Sequence, residues 1–185
     1  MKQRVKSIAA LLVLLITASI GAFTVAQPVS AAPLPGTYYQ IKLYGYDRCL
    51  DVTDVSQADG ALLQTFSCLQ NQPNQVFYVV SDGGPGNRYR IIPQHSYKCL
   101  DVKDVSPYWG ASIQQWTCLG WGQTNQIFFK NPVFFTNGHE VVLWTTFVSW
   151  CIAAQNWSSG AAVRQEDCSN TLRNYWELIP TSIHA

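Results

Sequence analysis

Charge is scarce along this chain and unevenly placed. Only 12% of its 185 residues are Asp, Glu, Lys or Arg, with twelve basic against eleven acidic. Three of the basic residues, Lys2, Arg4 and Lys6, stand at the start, and residues 1–31 contain no acid. Setting that segment aside leaves twelve minus three, or nine, basic residues against eleven acids, a formal −2. A domain so balanced lacks the basic footprint of a nucleic-acid binder and offers an anionic membrane surface nothing to attract. Histidine is equally sparse. His95, His139 and His184 share no ligand spacing, which argues against a zinc site. Neither Gly-x-Ser-x-Gly nor His-Glu-x-x-His occurs. No metal or other cofactor is expected, and no enzymatic activity.

Long apolar runs are missing too, with one exception. Ile8 to Ile20 is almost wholly apolar, yet it is too short and too poorly flanked for a membrane span. A basic start, an apolar run and then small residues up to Ala32 is the order of a secretory signal. The expected cut follows Val29-Ser30-Ala31 and leaves Ala32 first. A cut after Ala26, one that leaves Pro33 first, and an uncleaved anchor are the alternatives. Residues 32–185 then form one secreted domain of a size that supports a real core, with no membrane insertion.

What the chain does have is cysteine, at 49, 68, 99, 118, 151 and 168. An even count behind a signal reads as three disulfides formed in an oxidising compartment. Aligning the cysteines folds the chain onto itself. Cys49-Leu50-Asp51-Val52 returns as Cys99-Leu100-Asp101-Val102 and, more weakly, as Cys151-Ile152-Ala153-Ala154. Gly60-Ala61 returns at Gly110-Ala111 and Gly160-Ala161. Gln64-Thr65-Phe66-Ser67-Cys68 matches Gln114-Gln115-Trp116-Thr117-Cys118, and Asn74-Gln75-Val76-Phe77 matches Asn125-Gln126-Ile127-Phe128. The third copy of this last motif has decayed to Arg173-Asn174-Tyr175-Trp176. Self-similarity at this period signals a symmetric architecture of about three units, 37–86, 87–136 and 137–182. The same symmetry pairs Cys49 with Cys68, Cys99 with Cys118 and Cys151 with Cys168. Each such loop closure contributes roughly 3 kcal/mol by restricting the unfolded chain.

No amphipathic helix is evident after the leader. Short aromatic and β-branched runs bounded by turn residues make the fold class all-β. Gly83 to Asn87 and Asn137-Gly138 mark turns between the copies. Upstream of each first cysteine, Tyr39 and Ile41 correspond to Tyr89 and Ile91, then to Val141 and Leu143. The expected shared core is Ile41, Ile91 and Leu143 with Phe77, Phe128 and Trp176.

These ordered motifs resemble the ricin B-type lectin repeat, also called the QxW repeat, from about Tyr38 to Pro180. The resemblance implies a β-trefoil of about twelve short strands with pseudo-threefold symmetry. It also implies binding of galactose-type sugars, xylan or similar glycans in shallow pockets, up to one per repeat. A monomer is expected.

The residue chemistry suits that reading. A carboxylate accepts sugar hydroxyls, an aromatic face takes the apolar C–H patch of the ring, and side-chain amides both donate and accept. The first repeat offers Asp51 as acceptor, Phe66 as platform, Gln64 and Asn74 at the rim and Gln75 behind. The second offers Asp101, Trp116, Gln114, Asn125 and Gln126 in the same places. Asp51 and Asp101 could instead cap turns, and Gln75 and Gln126 could serve buried backbone groups. Tyr108 and Trp109 could extend the second site, or be exposed aromatics without a role. Asp54 and Asp104 also recur and read as solvated loop acids. In the third repeat Ala153 replaces the acid, Glu166 the aromatic, Arg164 the glutamine and Arg173 the asparagine, so that copy is expected not to bind. Trp150 and Trp157 lie nearby without a motif, and Asn156-Trp157-Ser158 is a formal glycosylation sequon. Two other functions compete with sugar binding. One is a trefoil scaffold that binds a protein, in the manner of a protease inhibitor, through the 106–111 loop. The other is a small polysaccharide hydrolase, which would need two carboxylates flanking one bond.

Overall fold

The computed structural model describes residues 37–120, 122–169 and 171–181. The expected leader and its cleavage point lie outside the described residues. Among those residues there are twelve strands and no α-helix. Four come from each repeat: β1 (Tyr38–Leu43), β2 (Cys49–Val52), β3 (Leu63–Phe66) and β4 (Val76–Ser81) from the first; β5 (Arg88–Pro93), β6 (Cys99–Val102), β7 (Ile113–Trp116) and β8 (Phe128–Thr136) from the second; β9 (His139–Thr145), β10 (Cys151–Ala154), β11 (Ala161–Glu166) and β12 (Tyr175–Pro180) from the third.

Antiparallel pairings β1–β12, β12–β9, β9–β8, β8–β5, β5–β4 and β4–β1 close six strands into a barrel. Closure leaves those strands no free edge. The remaining six form three hairpins, β2–β3, β6–β7 and β10–β11, one per repeat. A barrel with three hairpins is the β-trefoil arrangement. The disulfides Cys49–Cys68, Cys99–Cys118 and Cys151–Cys168 staple one hairpin each. Gly60, Gly110 and Gly160 all have φ between 82° and 85°. Their N–H groups donate to Gln115 O, Gln165 O and Thr65 O, so each hairpin's turn is bound to the outer strand of another repeat. A left-handed backbone at these joints accounts for the thrice-repeated glycine.

The core gathers the barrel's inward residues with those of the hairpins. Phe77, Phe128 and Trp176 are fully buried at its centre, with Ile41 and Ile91 beside them. Leu143 is not the third member of that set. It is only half-buried, while Val142 and Trp144 point into the core. The third repeat's turn is one residue shorter, closing from Thr146 N–H to Trp150 O where the first repeat closes from Leu43 N–H to Arg48 O. A shift of one residue exchanges the two faces of a strand, so the cysteine-based alignment selects the wrong parity there.

Candidate functional site

Each acid sits at the same point of its hairpin. Asp51 pairs in register with Gln64, and Asp101 with Gln114, so acid and amide project from the same face of their ladder. Gln64 Nε2 donates to Asp51 Oδ1 at 2.9 Å, and Asn74 Nδ2 and Gln75 Nε2 donate to Asp51 Oδ2 at 2.8 and 3.0 Å. The second repeat reproduces this. Gln114 reaches Asp101 Oδ1 at 2.9 Å, and Asn125 and Gln126 reach Oδ2 at 2.7 and 3.1 Å. The asparagine and glutamine are delivered by short 3-10 turns, Pro73–Gln75 and Thr124–Gln126, that precede the core aromatic.

Three bonds occupy three of the roughly four acceptor positions of a carboxylate and leave one, on Oδ1. Both acids are almost fully buried, and burial is the main force raising their carboxyls above the ordinary Asp range, with the three amide bonds opposing it. Gln75 and Gln126 have no exposed surface and also donate to Ser67 O and Thr117 O. They hold the acid from behind. Asn74 Oδ1 is buried without a partner, whereas Asn125 Oδ1 accepts from Gln123 Nε2 at 2.8 Å.

In front of each acid lies a shallow pocket of about 200 Å³ in the first repeat and 190 Å³ in the second. Phe66 and Trp116, 39% and 38% exposed, form one wall at equivalent positions, opposite Cys49 and Cys99 on the ladder. The other wall comes from residues that sequence reasoning set aside or missed. Asp54 and Val55 line the first pocket, and Asp104 and Val105 the second. All four have φ between 51° and 58°, a left-handed backbone that is uncommon for Asp and strained for β-branched Val. Leu69 with Gln72, and Leu119 with Gln123, complete the rims. The signal was present as Asp-Val-Ser at 54–56 and again at 104–106.

Residues 23–131, more than half of the chain, match the family model described as ricin-type beta-trefoil lectin domain-like. The chain belongs to this family. Its fold is similar to the crystal structure of the designed threefold-symmetric protein ThreeFoil, with 28% identity over 77% of this chain and 97% of that one and a TM-score of 0.67. It is also similar to the exo-beta-1,3-galactanase 1,3Gal43A from Clostridium thermocellum (24% identity, 80% of this chain and 31% of that one, TM-score 0.69). A third likeness is to the Polyporus squamosus lectin, solved with the epitope Neu5Aca2-6Galb1-4GlcNAc (13% identity, 80% and 50%, TM-score 0.61). The last two likenesses carry the fold alone. No curated protein matches the sequence.

The third hairpin of this lectin-like domain keeps the geometry and changes the chemistry. Ala153 is paired with Arg164 where the other repeats pair Asp with Gln, and Glu166 stands opposite Cys151 where the aromatic belongs. Its turn is also two residues shorter between Ala154 and Gly160 than between Val52 and Gly60, and the 3-10 turn that carries Asp54 and Val55 has no counterpart there. Tyr108 and Trp109 do not extend the second site. Their loop lies across β11 of the third repeat, where Gln165 Nε2 donates to Ser106 O and Tyr108 O. The loop beside the second site comes from the first repeat, with Gln115 Nε2 donating to Ser56 O and Ala58 O.

Among the described residues no group of three or more His, Cys, Asp or Glu could hold a metal ion. No helix there is long and apolar enough to cross a membrane.

Proposed function

We propose that the protein is a secreted carbohydrate-binding domain that holds one sugar in the first repeat and one in the second, once residues 1–31 are removed. The observation that carries this reading is the double occurrence of one pocket, with Asp, Asp, Val, Gln, aromatic, Leu, Gln and Asn at matching positions. A structural role would account for the buried acid but not for a repeated open wall of aromatic and strained valine. In each site the free position on Asp Oδ1 accepts one hydroxyl. The neighbouring glutamine, which gives one of its two amide N–H groups to the acid, presents its oxygen to a second. Phe66 or Trp116 takes the C–H face of the ring. Trp116 is the larger platform, so the second site is the stronger. Single shallow sites bind at about millimolar to micromolar, and a polymer spanning both gains by effective concentration.

Family membership and three disulfides fit an extracellular role. Galactose-type sugars and xylan are the first ligands to test, on a domain read as a monomer without enzymatic activity of its own. The test is a glycan array read with the mature protein and with Trp116→Ala and Asp101→Ala, after each is shown to fold. Binding to a neutral glycan that falls in both variants supports the reading. Binding that neither variant alters, even with Phe66→Ala and Asp51→Ala added, overturns it and brings forward a loop-borne protein contact through Tyr108, which is 75% exposed.

A further inference from the structure

The third repeat is more than a blank copy. In the first two repeats three neutral amides converge on an aspartate that the protein supplies. In the third, the aspartate is gone and two of the three amides have become arginines. Ala153 and Arg164 are directly opposed on the β10–β11 ladder, so Arg164 rises from the same face as the missing carboxylate. Arg173 keeps the asparagine's place. Asn74 Nδ2 donates to Val52 O, Asn125 Nδ2 to Val102 O and Arg173 Nη1 to Ala154 O, three equivalent carbonyls at the ends of β2, β6 and β10. A second bond from the same nitrogen, to Gln155 O at 2.8 Å, holds the guanidinium there. Asn174, in the glutamine's place, donates to Asp167 O and Ser169 O and performs only the supporting half of that role.

Neither arginine has an acidic partner. Among the described residues the ion pairs involve Lys42, Arg88, Lys98, Lys130 and His139, and neither Arg164 nor Arg173 belongs to one. Arg164 Nε is moreover buried with no hydrogen-bond partner. A half-buried guanidinium with an unsatisfied donor is costly unless an acceptor arrives, and its planar fork matches a carboxylate or sulfate. The repeated loop contact adds a ring. The residue before each loop glycine lies against the residue that follows the strand's last position, as Asp59 Oδ1 accepts from Thr117 N–H and Ser159 Oγ from Ser67 N–H. At the third hairpin the residue in that place is Trp109 of the second repeat, 61% exposed, next to Gly110, whose N–H donates to Gln165 O on β11.

We propose that the third repeat holds a separate site for an acidic saccharide, in which Arg164 and Arg173 take the sugar's carboxylate or sulfate where the other repeats supply their own aspartate. Glu166 accepts ring hydroxyls at the other end of the site and orients the ligand by repelling its charged group. Trp109 supplies the apolar face that Phe66 and Trp116 supply elsewhere. This site uses opposite charge logic to the first two and stands whether or not they bind neutral sugars.

The experiment is titration of the mature protein with trigalacturonate, with its methyl ester and with a sulfated heparin disaccharide, followed by the indole N–H resonances of Trp109 and Trp116. Trigalacturonate or the sulfated disaccharide is expected to shift Trp109 and leave Trp116 in place, and whichever acts identifies the anion. The methyl ester is expected to leave Trp109 unmoved. Binding should weaken as salt is raised, since the contact is ionic and partly exposed. Arg164→Gln and Arg173→Asn remove the charge and keep a polar side chain, and each variant is first shown to fold by circular dichroism, since Ala153 offers the new amides no acceptor. Each should raise Kd by about tenfold or more, the size of one lost charge-assisted bond. No response of Trp109 to either anionic sugar, or an affinity that the Arg164→Gln/Arg173→Asn double variant retains, overturns the proposal.

Discussion

Asp101→Ala separates a binding acid from a structural one. The substitution removes the acceptor for Gln114 Nε2, Asn125 Nδ2 and Gln126 Nε2. The three donors are not left equally exposed to the loss. Asn125 keeps Val102 O at 3.3 Å, and Gln126 keeps Thr117 O at 3.1 Å. Only Gln114 Nε2 is stripped of its partner, and a buried donor so stripped costs about 1–3 kcal/mol. Removing a carboxylate that burial disfavours returns part of that cost. The expected destabilisation is therefore about 2 kcal/mol, well short of the sum of three charge-assisted bonds. For a domain of this size that is a fall in Tm of roughly 4–8 °C. Thermal unfolding by circular dichroism, with the disulfides intact, gives the number. Isothermal titration on the same sample, below the transition, gives the binding. The reasoning expects a folded variant that has lost the second site. A variant that fails to fold, or one that loses 5 kcal/mol and still binds, would show that the acid serves the hairpin and not a ligand.

Three further outcomes follow from the same geometry. The proposed binding at the first two sites needs ionised Asp51 and Asp101, whose carboxyls are raised by burial, so a pH titration should show affinity lost on acidification at a higher pH than the ordinary Asp value of 3.8. Asp59 runs the other way. Its hydrogen-bonded Lys98 holds its carboxyl below the ordinary range, so the stability it contributes is present above that range and is lost as pH falls through the lowered value. Unfolding of Asp59→Asn against pH should show a small deficit near neutrality that vanishes in acid. Gly110→Ala, at φ 82° with nothing within 4 Å of the added methyl, should cost about 1–2 kcal/mol from the left-handed backbone alone, read by denaturant unfolding.

Much of this architecture is written in local pattern. The cysteines, the glycines at 60, 110 and 160 and the aromatics at 77, 128 and 176 recur because threefold packing demands the same residue at the same place. Leu143 was misplaced for a reason that pattern cannot supply. A turn shorter by one residue leaves composition untouched and reverses which face of β9 is inward. The sequence leaves Tyr108 and Trp109 open between the second site and no role, because neighbours in sequence are not neighbours across a repeat boundary. The loop of one repeat serves the hairpin of the next, a contact visible only when Gly110 N–H is seen to meet Gln165 O. Asp54 and Val55 were passed over because their role depends on a left-handed backbone, which an Asp-Val pair does not advertise.

That division also explains how the third repeat could change its chemistry so freely. On every hairpin the residues that pack into the apolar core differ from those on the opposite face of the ladder. Val52, Leu63, Val102, Ile113, Ala154 and Val163 pack into the core, while Asp51, Gln64, Asp101, Gln114, Ala153 and Arg164 stand on the alternate positions and face away. Substitutions on the second set leave the first untouched, so three copies can share one core and bear different sites. The cost falls on the polar network alone. Where the aspartate was lost, its donors had to go with it, since an amide triad around an alanine would leave buried N–H groups unpaired. Asn174 turns its amide to backbone carbonyls, and Arg173 does the same with one nitrogen. Of these three replacements Arg164 retains an unsatisfied buried donor, as Arg48 and Arg88 do elsewhere. That unmet donor, on the ladder face opposite the core, is the physical argument behind the proposed acidic-saccharide site at this hairpin.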